Sequence, residues 1–146
     1  MWAYAHVFSD EEVQTWLDNQ LRRYREDGFG LRAMIKRRSG QMIGRCGVTL
    51  QQTPQGTVHE GGYLLNRRWR HLGYAIEAAR ACRDYAFENI GAEQVCSILR
   101  TENLASQRVD IRSMVPRSLF TKHYCHQDMP RAVCSVSRAE RESRER

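Results

Sequence analysis

"NRRWRHLGYAIEAARACRDYAFENI", residues 66–90, changes character halfway along. Up to Gly73 it is basic and aromatic, with Arg67, Arg68, Trp69, Arg70 and His71 in close succession. From about Ala75 to Asn89 it reads as a helix, with Ile76, Ala79, Ala86, Phe87 and Ile90 on or near one stripe and Gly91 as a C-terminal stop. A helix N-terminus leaves up to four backbone N–H groups without partners and carries roughly half a positive charge. Together these attract phosphate. Gly73 removes a side chain where an anion would approach and permits backbone angles other residues resist. Ala75 keeps the first turn open, and Arg70 adds charge, with Arg67, Arg68 and His71 at the rim. The stretch suits a diphosphate held mainly by main-chain donors. A plain basic turn reads equally well from these residues alone. Neither a Gly-x-Gly-x-x-Gly run nor a Gly-Lys-Ser/Thr triplet is present.

Working outward, "QMIGRCGVTLQ" (41–51) reads as a strand, paired as a hairpin with "LRAMIK" (31–36) across the turn 37–40. "TVHEGGYLLN" (57–66) is a third strand, where Gly61-Gly62 suggests a bulge or a close backbone approach. After the helix, "EQVCSILRT" (93–101) is a strand, so strand, helix and strand favour a parallel crossover. A short helix starts near Asn103 and extends toward Arg112, and strands are expected at 118–125 and 131–138. At the other end, Ser9 and Glu12 form a capping-box signature ahead of Val13, Trp16, Leu17, Leu21 and Tyr24 at helical spacing. That helix is expected to cover a face of the sheet. Residues 139–146 alternate charge without an apolar stripe and read as a solvated tail.

The chain has 146 residues, which suits one domain, here expected over residues 1–138. No apolar run approaches the ~18 residues of a membrane span, and the first residues lack the design of a signal peptide. A cytoplasmic location is the expectation. The net charge of +6 suits anionic partners. The basic excess does not come with the interleaved aromatic pattern of RNA-binding sheets, so nucleic acid is set aside as a partner. Five scattered cysteines with no Cys-x-x-Cys suit reduced thiols. His123, Cys125 and His126 match no zinc spacing, and no metal is expected.

Taken together, "MIGRCGVTLQ" and "GYLLNRRWRHLGYAIEAARACRDYAFENIGAEQVCSILRTENLASQRV" resemble the GNAT superfamily of N-acetyltransferases, nearest the branch that acetylates ribosomal-protein N-termini. The ordered set is a strand meander, Arg-x-x-Gly-x-Ala, a helix, a strand and Asn-x-x-Ser. The resemblance implies an α+β fold: a twisted, mostly antiparallel mixed sheet with a V-shaped split between two parallel strands and helices on both faces. It implies that acetyl-CoA is the cosubstrate and that an amine, of a small molecule or a protein, is the acceptor. By position, Arg70, His71, Leu72, Gly73, Tyr74 and Ala75 would hold the diphosphate, and Leu64 and Leu65 the pantetheine arm. Asn103 would contact that arm, and Ser106 would stand near the sulfur, where it can assist the leaving thiolate. Glu60, just before the paired glycines, is the candidate base, directly or through a water. The reaction implied is direct attack of a neutral amine through a tetrahedral intermediate. The alternative is an inactive CoA-binding or partner-binding module of the same fold. Family members usually begin with a further strand and helix, which this sequence lacks. An uncovered sheet edge would follow, which raises a homodimer as an expectation.

Overall fold

The structure, a computed structural model, describes residues 6–54, 56–113, 122–126 and 129–143. Helix α1, Asp10–Glu26, starts where the capping signature places it. The Ser9 hydroxyl accepts from the Glu12 N–H at 3.2 Å, and Glu12 accepts from the Ser9 N–H at 2.8 Å. Such reciprocal capping satisfies two otherwise unpaired donors. The expected burial of its apolar stripe is not met. Val13, Leu17, Leu21 and Tyr24 are 38–49% exposed, and Gln20 is the buried residue of the helix. Among the described residues nothing closes over that stripe; Trp16 reaches the sheet, with the Arg45 guanidinium 4.9 Å from its ring centre.

Strands β1, Leu31–Ile35, β2, Met42–Thr53, and β3, Gly56–Leu65, form the expected antiparallel meander. The Gly61-Gly62 pair does not bulge. β3 runs in unbroken register with β2 from Gly44 opposite Leu65 to Thr53 opposite Gly56, so each glycine has one partner and no residue is left over. The one irregularity of this meander falls in β1, between Met34 and Ile35. Close backbone approach is instead a property of β2. A Cβ at Gly47 would run into the Gly30 carbonyl oxygen, and one at Gly44 into that of Leu64. Backbone cannot step aside as a flexible side chain can. Gly47→Ala is therefore expected to destabilise the fold by about 2–3 kcal/mol, read as a lower Tm in thermal unfolding. An unchanged Tm would show that this approach is not tight.

Helix α2, Tyr74–Tyr85, begins one residue before the expected point and runs into a π-helical turn, Ala86–Ile90, which Gly91 ends at φ 79°. The sequence reads as one continuous helix here. Ala86 and Phe87 of this turn are buried. Strand β4, Gln94–Arg100, follows, then helix α3, Leu104–Ser113, and strands β5, Lys122–His126, and β6, Met129–Ser137. The sheet order is β1-β2-β3-β4-β6-β5. Every neighbouring pair is antiparallel except β3 and β4, which are parallel and share a single register pair, Glu60 opposite Cys96. Beyond that pair the two strands diverge into the expected split.

Side-chain alternation along β2 fixes the layers. Arg45 meets Trp16 of α1, while its neighbour Cys46 packs against the core around Cys82 of α2. The two helices therefore cover opposite faces. The core sits between α2 and the sheet, built from Phe29, Val48, Ala86, Phe87, Val95 and Val136 together with Cys82 and Ala92.

The charged tail is corrected at its start. Ser137 and Glu140 form a second capping box, and Arg138–Glu142 make a short helix, α4. Its basic side chains find partners at the end of α2. Arg138 donates to the carbonyl oxygens of Phe87 and Ala92 at 2.6 and 3.2 Å, and Arg141 pairs with Glu88 at 2.7 Å. Residues 118–121 of the expected strand and 144–146 of the tail lie outside the described residues, as do the side chains of His123, Cys125 and His126. No helix among the described residues is long and apolar enough to cross a membrane.

Candidate functional site

The split between β3 and β4 opens toward the loop that joins β3 to α2. Asn66 starts that loop. Its Oδ1 accepts from the Arg68 N–H at 3.1 Å and caps a 3-10 turn over Arg67–Trp69. Trp69 is held between the Lys36 ammonium, 4.6 Å from its ring centre, and the edge-on Tyr74 ring at 6.3 Å. The chain then turns through two left-handed residues, His71 at φ 64° and Gly73 at φ 87°. Glycine adopts that geometry freely, whereas at His71 it stores roughly 1–3 kcal/mol of strain. The Gly73 carbonyl accepts from the Glu77 N–H at 3.1 Å and so begins α2. Among the described residues no acceptor meets the N–H of His71, Leu72 or Gly73. The space where a Gly73 side chain would stand is open to 4 Å.

These features border a cleft of about 480 Å³. It brings together Leu64 and Leu65 of β3, Arg70, His71, Gly73 and Ala75 of the loop and α2, and Asn103 and Ser106 of α3. Three further residues expected at the site do not line it. The Leu72 side chain points to solvent at 61% exposure, Tyr74 packs on Trp69, and Glu60 stands at the apex of the split opposite Cys96. Arg70, Arg108 and Arg112 line the cleft, and no acidic side chain does among the described residues. Its surroundings favour an anionic occupant.

Helix α3 supplies the opposite wall. Asn103 is its cap, with Oδ1 accepting from the Ser106 N–H at 3.1 Å. The amide nitrogen of Asn103 is left for other work. The Ser106 hydroxyl lies against the Tyr63 hydroxyl, which is buried and has no well-formed hydrogen bond. Burial, and then the nearby Asp110 charge, push the Tyr63 hydroxyl well above the usual tyrosine range. Asp110 is 1% exposed, and burial pushes its carboxyl up to about 7, partly offset by a hydrogen bond with Ser97. Sequence reasoning missed Tyr63 and Asp110. The available signal was an acidic residue four positions after Ser106, on the face that also carries Ser113.

A family model described as an acetyltransferase (GNAT) domain matches residues 1–112. The chain belongs to the GNAT family. It is 35% identical over 108 residues to YkkB of Bacillus subtilis, an uncharacterized protein, covering 73% of this chain and 62% of that one. The chain thus spans less than two thirds of that relative's length. Among solved structures, this GNAT chain resembles a Bordetella pertussis protein assigned to the same family, at a TM-score of 0.80 and 16% identity, covering 93% and 82% of the two chains. It also resembles the ribosomal-protein-S5-alanine acetyltransferase of Vibrio fischeri, at a TM-score of 0.66 and 13% identity, covering 89% and 73%. At these identities the likeness is one of fold. The residues of the cleft fit the family's cosubstrate: unpaired main-chain donors, an open glycine and a wall free of acidic groups.

Proposed function

We propose that this GNAT chain transfers the acetyl group of acetyl-CoA directly to a primary amine. The observation that carries the reading is the convergence of Leu64, Leu65, Arg70, His71, Gly73, Ala75, Asn103 and Ser106 on one cleft without acidic side chains. In this reading the diphosphate sits on the N–H groups of residues 71–75, with Leu72 and Tyr74 contributing main chain only. Arg70 balances its charge. The free backbone edge at Leu64 and Leu65 bonds the amides of the pantetheine arm, as an added strand would, and the Asn103 amide completes that grip. A main-chain N–H of β3 polarises the thioester carbonyl. Ser106 hydrogen-bonds the sulfur as it leaves.

Glu60, at the apex of the split, accepts the amine's proton through a water. The acceptor class we favour is an amine of a protein N-terminus. Support comes from the sequence resemblance. A cytoplasmic setting and a homodimer belong to the same proposal. No metal takes part in the scheme.

Release of free thiol from acetyl-CoA across a panel of amines, beside calorimetric titration with CoA, tests the assignment. Ser106→Ala is expected to lower kcat by about 10–100-fold while leaving the calorimetric Kd for acetyl-CoA within about twofold. An equal loss in both would make Ser106 a binding residue instead.

A further inference from the structure

Asp110 has no role in the scheme above, yet it is enclosed more fully than any group that does. One of its carboxyl oxygens, Oδ2, has no hydrogen-bond partner. A buried polar atom left unpaired is costly, so its retention calls for a reason. Asp110 stands one helical turn beyond Ser106, so the two side chains share a face of α3. Ser106 and Tyr63 line the cleft, whereas Asp110 is enclosed and does not line it. The Tyr63 hydroxyl, buried without a well-formed hydrogen bond, lies close to both the Ser106 hydroxyl and the Asp110 carboxyl.

Polar groups also stand on α2, β4 and α3. From α2, Arg80 and Arg83 donate to the Arg112 and Ser113 carbonyl oxygens at 3.1 and 2.7 Å. From β4 come the Ser97 hydroxyl, bonded to the carboxyl, and Arg100, whose Nε is itself buried without a hydrogen-bond partner. From α3 itself, Arg108 and Arg112 line the cleft. None of these guanidinium groups forms an ion pair with Asp110 among the described residues.

We propose that Asp110 is a positioning residue for the transfer step: its uncharged carboxyl keeps the ground behind Tyr63 and Ser106 free of negative charge while the thiolate leaves, and its ionised form opposes that departure. The proposal rests on the acetyl-transfer reading. In the step, the amine lone pair forms the C–N bond. When the tetrahedral intermediate collapses, the C–S pair passes to sulfur, and the amine's extra proton goes to Glu60 or water. Asp110 gives up no proton in the step. It acts through charge alone, on a thiolate stabilised by the Ser106 hydroxyl. Its carboxyl ionises at about pH 7, so the favourable form is lost as pH rises through neutrality.

The test follows thiol release from acetyl-CoA between pH 6 and 8.5 for the parent protein and Asp110→Asn, with spermidine and an alanine-initiated peptide as the amine probes. Deprotonation of the amine raises both rates alike, so the ratio of the two isolates Asp110. That ratio of kcat, variant over parent, is expected to rise about tenfold across the range. A ratio that stays constant, whatever its value, is the mark of a merely structural carboxyl and would overturn the proposal. Ser97→Ala provides a second readout. Removing that hydrogen bond favours the protonated carboxyl, so the parent's loss at rising pH should move to higher pH; no movement counts against the assignment.

If neither probe is acetylated, ultraviolet titration of the thiol of bound CoA asks the same question. The thiol should ionise at higher pH in the parent than in Asp110→Asn. Equal titration defeats this proposal alone. Failure of both proteins to bind CoA defeats the acetyl-transfer reading and this proposal with it.

Discussion

Gly73→Glu is expected to weaken acetyl-CoA binding by at least about a hundredfold and to remove turnover. Two separate effects meet at this residue. Its φ of 87° is one that L side chains resist, so any substitution costs about 1–2 kcal/mol in stability. A Cβ at Gly73 would have no neighbour within 4 Å, so a side chain can enter there, and it projects where the cosubstrate's diphosphate is proposed to lie. A carboxylate about 4 Å from a phosphate repels it by roughly 4 kcal/mol at an intermediate dielectric. Gly73→Ala separates the two effects, because it carries the backbone strain without the charge. Calorimetry should find the alanine variant much closer to the parent in Kd than the glutamate variant, with similar losses in Tm for both. If Gly73→Glu binds acetyl-CoA as tightly as the parent, the diphosphate does not sit over this loop and the functional reading fails.

Asp110→Asn should change how stability depends on pH. An aspartate in the unfolded chain ionises near 3.8, and in the fold this one ionises near 7. The fold therefore prefers the protonated acid. Its stability is highest below about pH 4 as far as this group is concerned, falls as pH rises from there to about 7, and then levels off. At about 1.4 kcal/mol per pH unit of displacement, the full loss is on the order of 4 kcal/mol. Asparagine cannot ionise, so the variant lacks that slope. Urea unfolding at pH 4.5 and pH 8 should show the variant gaining several kcal/mol on the parent between the two. A constant difference would mean that the Asp110 carboxylate is well solvated in the fold.

Local signals carried most of the architecture. Capping at Ser9, the hairpin across residues 37–40, the stop at Gly91 and the parallel crossover each depend on a few neighbouring residues, and each stands where it was expected. The misreadings depend on what lies opposite. Whether Gly61-Gly62 bulges is decided by the register of β2, where Gly47 faces Gly62. Whether the stripe of α1 is buried is decided by what stands against it, which periodicity does not reveal. The tail helix α4 draws its partners from Asp84, Glu88 and two carbonyl oxygens more than forty residues away.

The site divides in the same way. Asn-x-x-Ser and Arg-x-x-Gly-x-Ala are contiguous, so their residues could be named from the chain and are found around one cleft. Glu60 was also named, but its place at the apex comes from pairing with Cys96 on a distant strand. Tyr63 carries no signal of its own along the chain. Its importance comes from Ser106 and Asp110, which reach it only once α3 has folded back beside β3.

The lone rung between Glu60 and Cys96 makes the sheet two panels of three strands hinged at one point. On the proposed function, a guest lying in the gap, bonded to the free edge at Leu64 and Leu65 on one side and to α3 on the other, would serve as the missing stitch. The small molecule then does for this fold part of what a seventh strand would do, and occupancy and mechanical integrity rise or fall together. On the proposed function, such a chain is sturdier with its fuel bound than without it.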